Sequence, residues 1–209
     1  MGLYSSAGTP GRLRSFDPLR VADLEFRAWV GYYLRDWPGV LRASIGLVHA
    51  GFRMDWLRTL HGAWLVLRAN QMWAPADNDP DGARRCMRRF YALMKISYGE
   101  PGDVAEAARL EVDWWRIHRD RQHAGQPDTG QPAGGGPADE LVAALTRLYA
   151  FLYGEPEDAV RLAAMYRTEA MDVSDQWVTE GCHRDSPLLA LEHAALVRSY
   201  AALLAAVHH

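Results

Sequence analysis

One predicted helix carries two titratable side chains in the middle of its apolar face. The stretch 110–118 reads LEVDWWRIH. At about 100° per residue, Glu111 and His118 fall at the centre of an apolar arc that has Trp114 on one flank and Trp115 on the other. A carboxylate and an imidazole held there must find partners or change protonation state. The pattern predicts a polar site inside the fold, where acid–base or metal-assisted chemistry would suit these groups.

Two other predicted helices carry a central glutamate on an apolar face, Glu25 in the first helix and Glu192 in the last. Glu111 and His118 are about 10.5 Å apart along the helix axis, too far to share a hydrogen bond. They could instead serve two metal ions about 4 Å apart. Helical bundles with inward carboxylates hold such pairs. Glu25, Glu111, His118 and Glu192 are therefore candidate ligands of a di-iron site or of another divalent metal.

The Glu-x6-His spacing of Glu111 and His118 resembles one used by haem-oxygenase-like di-iron oxidases. That resemblance would imply further His and Asp ligands, close together on a later helix. The last helix offers only Glu192 and His193, which point to different sides. A Glu-x-x-His motif of the ferritin-like type occurs only at 180–183, at a helix end. The resemblance covers one spacing and does not define a family.

The same groups also predict a pocket for a small apolar ligand, lined by Glu111, His118, Trp115 and Tyr32. A structural interpretation stays open beside this one. Glu111 would then extend to solvent or pair with an arginine, and His118 would be a satisfied core histidine. The protein would be a non-catalytic, self-associating scaffold or interaction protein. The sequence leaves open whether the protein is an enzyme, and which substrate or reaction it would serve.

Prolines and glycines divide the chain into six to eight helices, and no alternating strand pattern is present. The first helix is expected over about 17–37, and Pro38 either kinks it or starts a new helix that ends near residue 51. The remaining helices are expected over about 55–73, 80–97, 101–122, 137–152, 156–180 and 187–207. The predicted fold is an all-α multi-helix bundle.

The block Tyr-Gly-Glu-Pro occurs twice, at 98–101 and 153–156, and each copy follows an Arg-x-Tyr-Ala segment. This pattern predicts a duplicated helical hairpin. Residues 123–137 are rich in Gly, Pro and Gln, which predicts a flexible loop. The expected organisation is a flexible N-terminal segment over 1–16 and a single helical domain over 17–209.

The amino-acid composition limits the class of protein and the kinds of partner that are expected. Hydrophobic residues make up 49% and charged residues 23% of the chain, and the net charge is −3. These values are typical of a soluble globular protein and argue against nucleic acid. The basic N-terminal part and acidic C-terminal part favour packing between the ends or a homo-oligomer. Two cysteines, Cys86 and Cys182, imply no disulfide framework, so a reducing, cytoplasmic location is predicted.

Membrane contact is not favoured. The uncharged apolar run Ala43 to Phe52 has ten residues, whereas a spanning helix needs about 20. The segment 37–73 alternates Trp with Arg, which suits either a peripheral membrane surface or a core hairpin with an arginine rim. Its second helix is apolar nearly all round, which favours the core.

The helix over 156–180 is expected to bury an apolar stripe at positions 159, 162, 163, 166, 170, 173 and 177. Two aspartates of that helix, Asp172 and Asp175, lie away from this stripe on the helical wheel. They are therefore expected to face solvent.

Overall fold

The computed structural model describes residues 14–100, 102–124 and 137–208. These residues form eight α-helices and no strand, so the predicted all-α multi-helix bundle is confirmed. The helices are α1 (Pro18–Tyr33), α2 (Trp37–Phe52), α3 (Trp56–Trp73), α4 (Pro80–Tyr98), α5 (Val104–Ala124), α6 (Pro137–Tyr153), α7 (Glu157–Thr179) and α8 (Leu188–Val207). Most of the predicted N-terminal segment 1–16 and of the predicted loop 123–137 lies outside the described residues.

Aspartates set the starts of the first four helices. Asp17, Asp36, Asp55 and Asp79 each accept a hydrogen bond from a backbone N–H of the following turn. Such caps satisfy donors that a helix start leaves unpaired. Pro38 was expected either to kink the first helix or to start a new one. The cap by Asp36 shows that a new helix begins here, so α2 is separate from α1.

The helices form a closed ring in chain order. Each helix packs mainly against the next one along the chain, and α8 returns to pack against α1. Short connections make sequence neighbours into spatial neighbours. The ring arrangement directs the apolar faces of α1 to α8 toward one shared interior, where the largest buried cluster lies.

The chain is packed already before α1. Phe16 is 8% exposed and belongs to the main core. The guanidinium of Arg14 binds the carboxylates of Glu100, at 3.3 Å, and of Glu155. It thereby joins the two Tyr-Gly-Glu-Pro turns. Both turns place their glycine at positive φ, 79° at Gly99 and 65° at Gly154, as a glycine helix end requires. The duplication of the hairpin itself stays a prediction.

The outer surface of α3 differs from the expectation of a core hairpin. Its inner face is buried, but four large apolar side chains are 47 to 81% exposed. They are Trp56, Leu57, Leu60 and Trp64, which we call the α3 apolar face. The helical wheel missed this because α3 is apolar nearly all round, and such a pattern does not tell which side faces solvent.

By length and apolarity alone, α8 could cross a membrane. It has 20 residues and a mean hydropathy of 1.4 over its most apolar window. This helix was not expected from the sequence, because only the shorter uncharged run in α2 was considered. The core helix of a globular protein meets the same criteria, but only 28% of this window is buried, although α8 does bury Glu192, Leu196 and Leu203.

Candidate ligand-binding cavity

A cavity of about 610 Å³ lies inside the ring, and residues from α1 to α8 line it. Sites for small organic molecules usually measure about 300–1,000 Å³. The four predicted ligand-binding residues, Tyr32, Glu111, Trp115 and His118, all line this space. Glu25 lines it as well, whereas Glu192 is not among the lining residues.

The cavity has a mouth at one end of the ring. Arg35, Pro75, Ala76 and His123 belong to its lining and are exposed to solvent. Arg35 follows α1, Pro75 and Ala76 follow α3, and His123 lies in the last turn of α5. The carboxyl ends of these three helices therefore surround the opening. A molecule can therefore enter between them.

A buried ion pair lies deep inside the cavity, and we call this region the floor. Arg167 of α7 donates from Nη1 to Glu25 Oε2 at 3.0 Å and from Nη2 to Glu25 Oε1. Tyr200 Oη donates to Glu25 Oε2 at 2.6 Å. The guanidinium carbon lies 5.4 Å from the ring centre of Trp29 and 5.5 Å from that of Trp114, within cation–π range. Although burial opposes charge, Glu25 raises the pKa of Arg167 well above its ordinary value.

Glu111 is held by two aromatic donors. Tyr91 Oη donates to Oε2 at 2.6 Å, and the indole N–H of Trp115 donates to Oε1 at 3.2 Å. Burial raises the pKa of Glu111, and the Tyr91 hydrogen bond and the Arg167 charge offset part of that rise. Glu111 therefore neither extends to solvent nor pairs directly with an arginine.

His118 pairs with a carboxylate from another helix. Its Nε2 lies 3.1 Å from both carboxylate oxygens of Asp175 on α7. Gln122 donates to Asp175 at 2.5 Å and to the Tyr33 hydroxyl at 3.0 Å. Within the described residues, the other ring nitrogen of His118 makes no hydrogen bond. A carboxylate on one imidazole nitrogen fixes the tautomer and leaves the other nitrogen available for a ligand or a proton.

Glu192 is isolated behind the cavity wall. Its side chain has no solvent exposure, and neither carboxyl oxygen makes a hydrogen bond of good geometry with a described residue. Burial raises its pKa to about 8, and the neighbouring Ser174 hydroxyl offsets only part of that rise. A neutral carboxylic acid is therefore buried here at neutral pH.

The predicted metal cluster is not formed by the described residues. Among them, no three His, Cys, Asp or Glu side chains come together as a metal ion requires. Glu25 faces Arg167, Glu111 faces Tyr91, His118 faces Asp175, and Glu192 lies apart. A helical wheel gives the direction of each side chain, but it does not give the partner that a distant helix supplies.

Two residues that organise the site, Arg167 and Asp175, were missed by the sequence analysis. The expected stripe on α7 was rotated, because Leu162 is 50% exposed while Val160, Ala164 and Arg167 are buried. Asp175, expected to face solvent, is only 21% exposed and accepts from His118 and Gln122. The sequence did carry one indication of the role of Arg167, because it is the one charged residue among the buried residues of α7.

Comparisons of the chain with protein-family models, with curated proteins and with solved structures find no match. The function is therefore argued from the cavity and from the groups that line it.

Proposed function

We propose that this protein binds a small, largely apolar organic molecule in the central cavity. The observation that carries the proposal is the 610 Å³ cavity with an open mouth, in which the predicted residues Tyr32, Trp115, Glu111 and His118 meet. Ligand sites typically combine apolar walls with a few convergent polar groups. Tryptophan and tyrosine rings supply such walls here, and Glu111 and His118 supply polar groups.

The paired His118 and Asp175 also suit a proton transfer to or from the bound molecule. An imidazole held by a carboxylate is the usual arrangement of a general base. In this proposal His118 touches the bound molecule, and Asp175 is a positioning residue that acts through the ring. The di-iron interpretation is not carried forward, because its candidate ligands do not converge.

Filling the cavity should abolish binding. Ala28 of α1 lines the cavity, and Ala28→Phe places a ring inside it. We expect the neutral dye N-phenyl-1-naphthylamine to bind the wild-type protein with one molecule per chain and enhanced fluorescence. The variant should bind at least about tenfold more weakly, a loss of roughly 1.4 kcal/mol or more.

The matched control is Ala201→Phe, which adds the same ring on the exposed side of α8. Its circular dichroism spectrum and its dye affinity should equal those of the wild type. A wild-type protein that does not bind the dye, or an Ala28→Phe variant that binds it as tightly, would contradict the proposal.

The alternative function, self-association, is favoured by the α3 apolar face. Contiguous exposed apolar side chains of this size usually mark an interaction surface. The occupant in this alternative is a second copy of the chain. Residues 1–75, which include α3, carry nine Arg and five acidic residues, whereas 123–209 carry five Arg and twelve acidic residues. A second copy would therefore present a complementary charge.

Leu57→Glu tests this alternative. Leu57 is 81% exposed, so the substitution should leave the fold intact while it places a charge in the interface. We expect sedimentation velocity at micromolar concentration to show a dimer for the wild type and a monomer for the variant. A monomeric wild type, or an unchanged dimer in the variant, would contradict self-association through this face.

The cytoplasmic location stays a prediction. Cys86 and Cys182 are both free thiols in the described structure. Free thiols are common in reducing compartments, which supports the prediction.

A further inference from the structure

We infer that the ligand carries an uncharged hydrogen-bond acceptor of the carbonyl type, and that this acceptor lies at the floor of the cavity. The inference rests on the proposed function and names the chemical class of the molecule that the cavity takes.

Three buried donors at the floor are poorly satisfied, since Trp114 only approaches Glu111 and Tyr149 only approaches Arg167. The indole N–H of Trp114, the hydroxyl of Tyr149 and Nε of Arg167 make no hydrogen bond of good geometry with a described residue. Their residues are only 9, 7 and 8% exposed, and all three line the cavity. Buried donors normally have partners, because an unmade hydrogen bond is costly away from water. A ligand oxygen would supply the missing acceptor.

The charges at the floor argue for a neutral acceptor. Glu25 already neutralises Arg167 through two hydrogen bonds. An anionic ligand group would therefore add an uncompensated negative charge near Glu25 and Glu111. A cationic group would meet Arg167, and it could not accept a hydrogen bond from the three donors. A carbonyl oxygen accepts hydrogen bonds without adding charge.

The walls above the floor are aromatic. Trp29 and Trp114 both lie within cation–π range of the Arg167 guanidinium, and Trp115 contacts Trp114 with ring centres 6.0 Å apart. Rings of this kind bind flat apolar bodies well. The ligand class is therefore a neutral ketone, aldehyde or ester with an aromatic or alicyclic body.

The test compares two rigid probes that differ only in the acceptor, 9-fluorenone and fluorene. Affinities are measured by displacement of N-phenyl-1-naphthylamine from the full-length protein. We expect the wild type to bind fluorenone about tenfold more tightly than fluorene. Tyr149→Phe removes one donor and keeps the ring that lines the cavity, so it should abolish most of that preference and change fluorene affinity little.

The matched control is Tyr166→Phe, which removes a hydroxyl from a ring that does not line the cavity and should keep the preference. If both probes bind equally to the wild type, or if Tyr149→Phe keeps the preference, the inference is overturned while the ligand-binding proposal stands. If Tyr166→Phe loses the preference as fully as Tyr149→Phe, the preference does not come from a hydrogen bond at the floor. If neither probe nor dye binds, the proposed function itself fails.

Discussion

Replacement of Glu25 with leucine should lower the free energy of unfolding by about 3–5 kcal/mol at neutral pH. The carboxylate makes two hydrogen bonds with Arg167, and the two side chains are only 8 and 10% exposed. Without Glu25, the guanidinium would remain charged in an apolar interior with no counter-ion. Chemical denaturation followed by circular dichroism measures the loss.

Two further variants make this prediction specific. Glu25→Leu combined with Arg167→Met removes both charges, and it should recover most of the lost stability. Glu169→Ala breaks the exposed pair with Arg198, in which both side chains are 48% exposed, and should cost less than about 1 kcal/mol. A small loss in Glu25→Leu, or no recovery in the double variant, would show that the buried pair is not a major determinant of stability.

Glu192→Gln should be markedly more stable than the wild type in mildly alkaline solution and close to it in acid. Burial raises the pKa of Glu192 from 4.5 to about 8 in the folded protein. The unfolded chain therefore ionises first as the pH rises, and the folded state loses stability between about pH 4.5 and pH 8. Glutamine does not titrate, so the variant avoids that loss.

The expected difference grows across this window to a few kcal/mol, on the order of 1.4 kcal/mol per pH unit. Below about pH 4.5 Glu192 is neutral in both the folded and the unfolded chain, so the difference should vanish, and above pH 8 it should level off. Urea denaturation from pH 4 to 9 measures it. Glu169→Gln, at an exposed glutamate, is the control and should show no such trend. A difference that is constant with pH would mean that Glu192 ionises normally in the folded chain.

The sequence was most informative where structure is local. The helix starts expected near residues 17, 55 and 80 agree with the capped starts at Asp17, Asp55 and Asp79, because an aspartate next to a proline or an apolar run has a local role. Asp36 was missed because Pro38 allows both a kink and a new start. The closure of the ring through α8 and α1 could not be predicted, since it depends on contacts between residues far apart in sequence.

The candidate site shows the same division. The position of Glu111 and His118 on an apolar arc correctly indicated that both side chains face the interior. The pattern along one helix could not identify the partners of these side chains, because Asp175 lies 57 residues from His118. Arg167 lies 142 residues from Glu25. A periodic pattern reports on one helix, whereas a choice between metal ligands, ion pairs and hydrogen bonds depends on what several helices bring together.

The closed ring has a thermodynamic consequence. Because every described helix supplies part of the cavity wall, a bound molecule would hold all of them at once, and occupancy would be linked to global unfolding. At a hundredfold excess over the dissociation constant, such linkage is worth about 2.7 kcal/mol. Amide hydrogen exchange should then slow along the whole chain instead of in one segment.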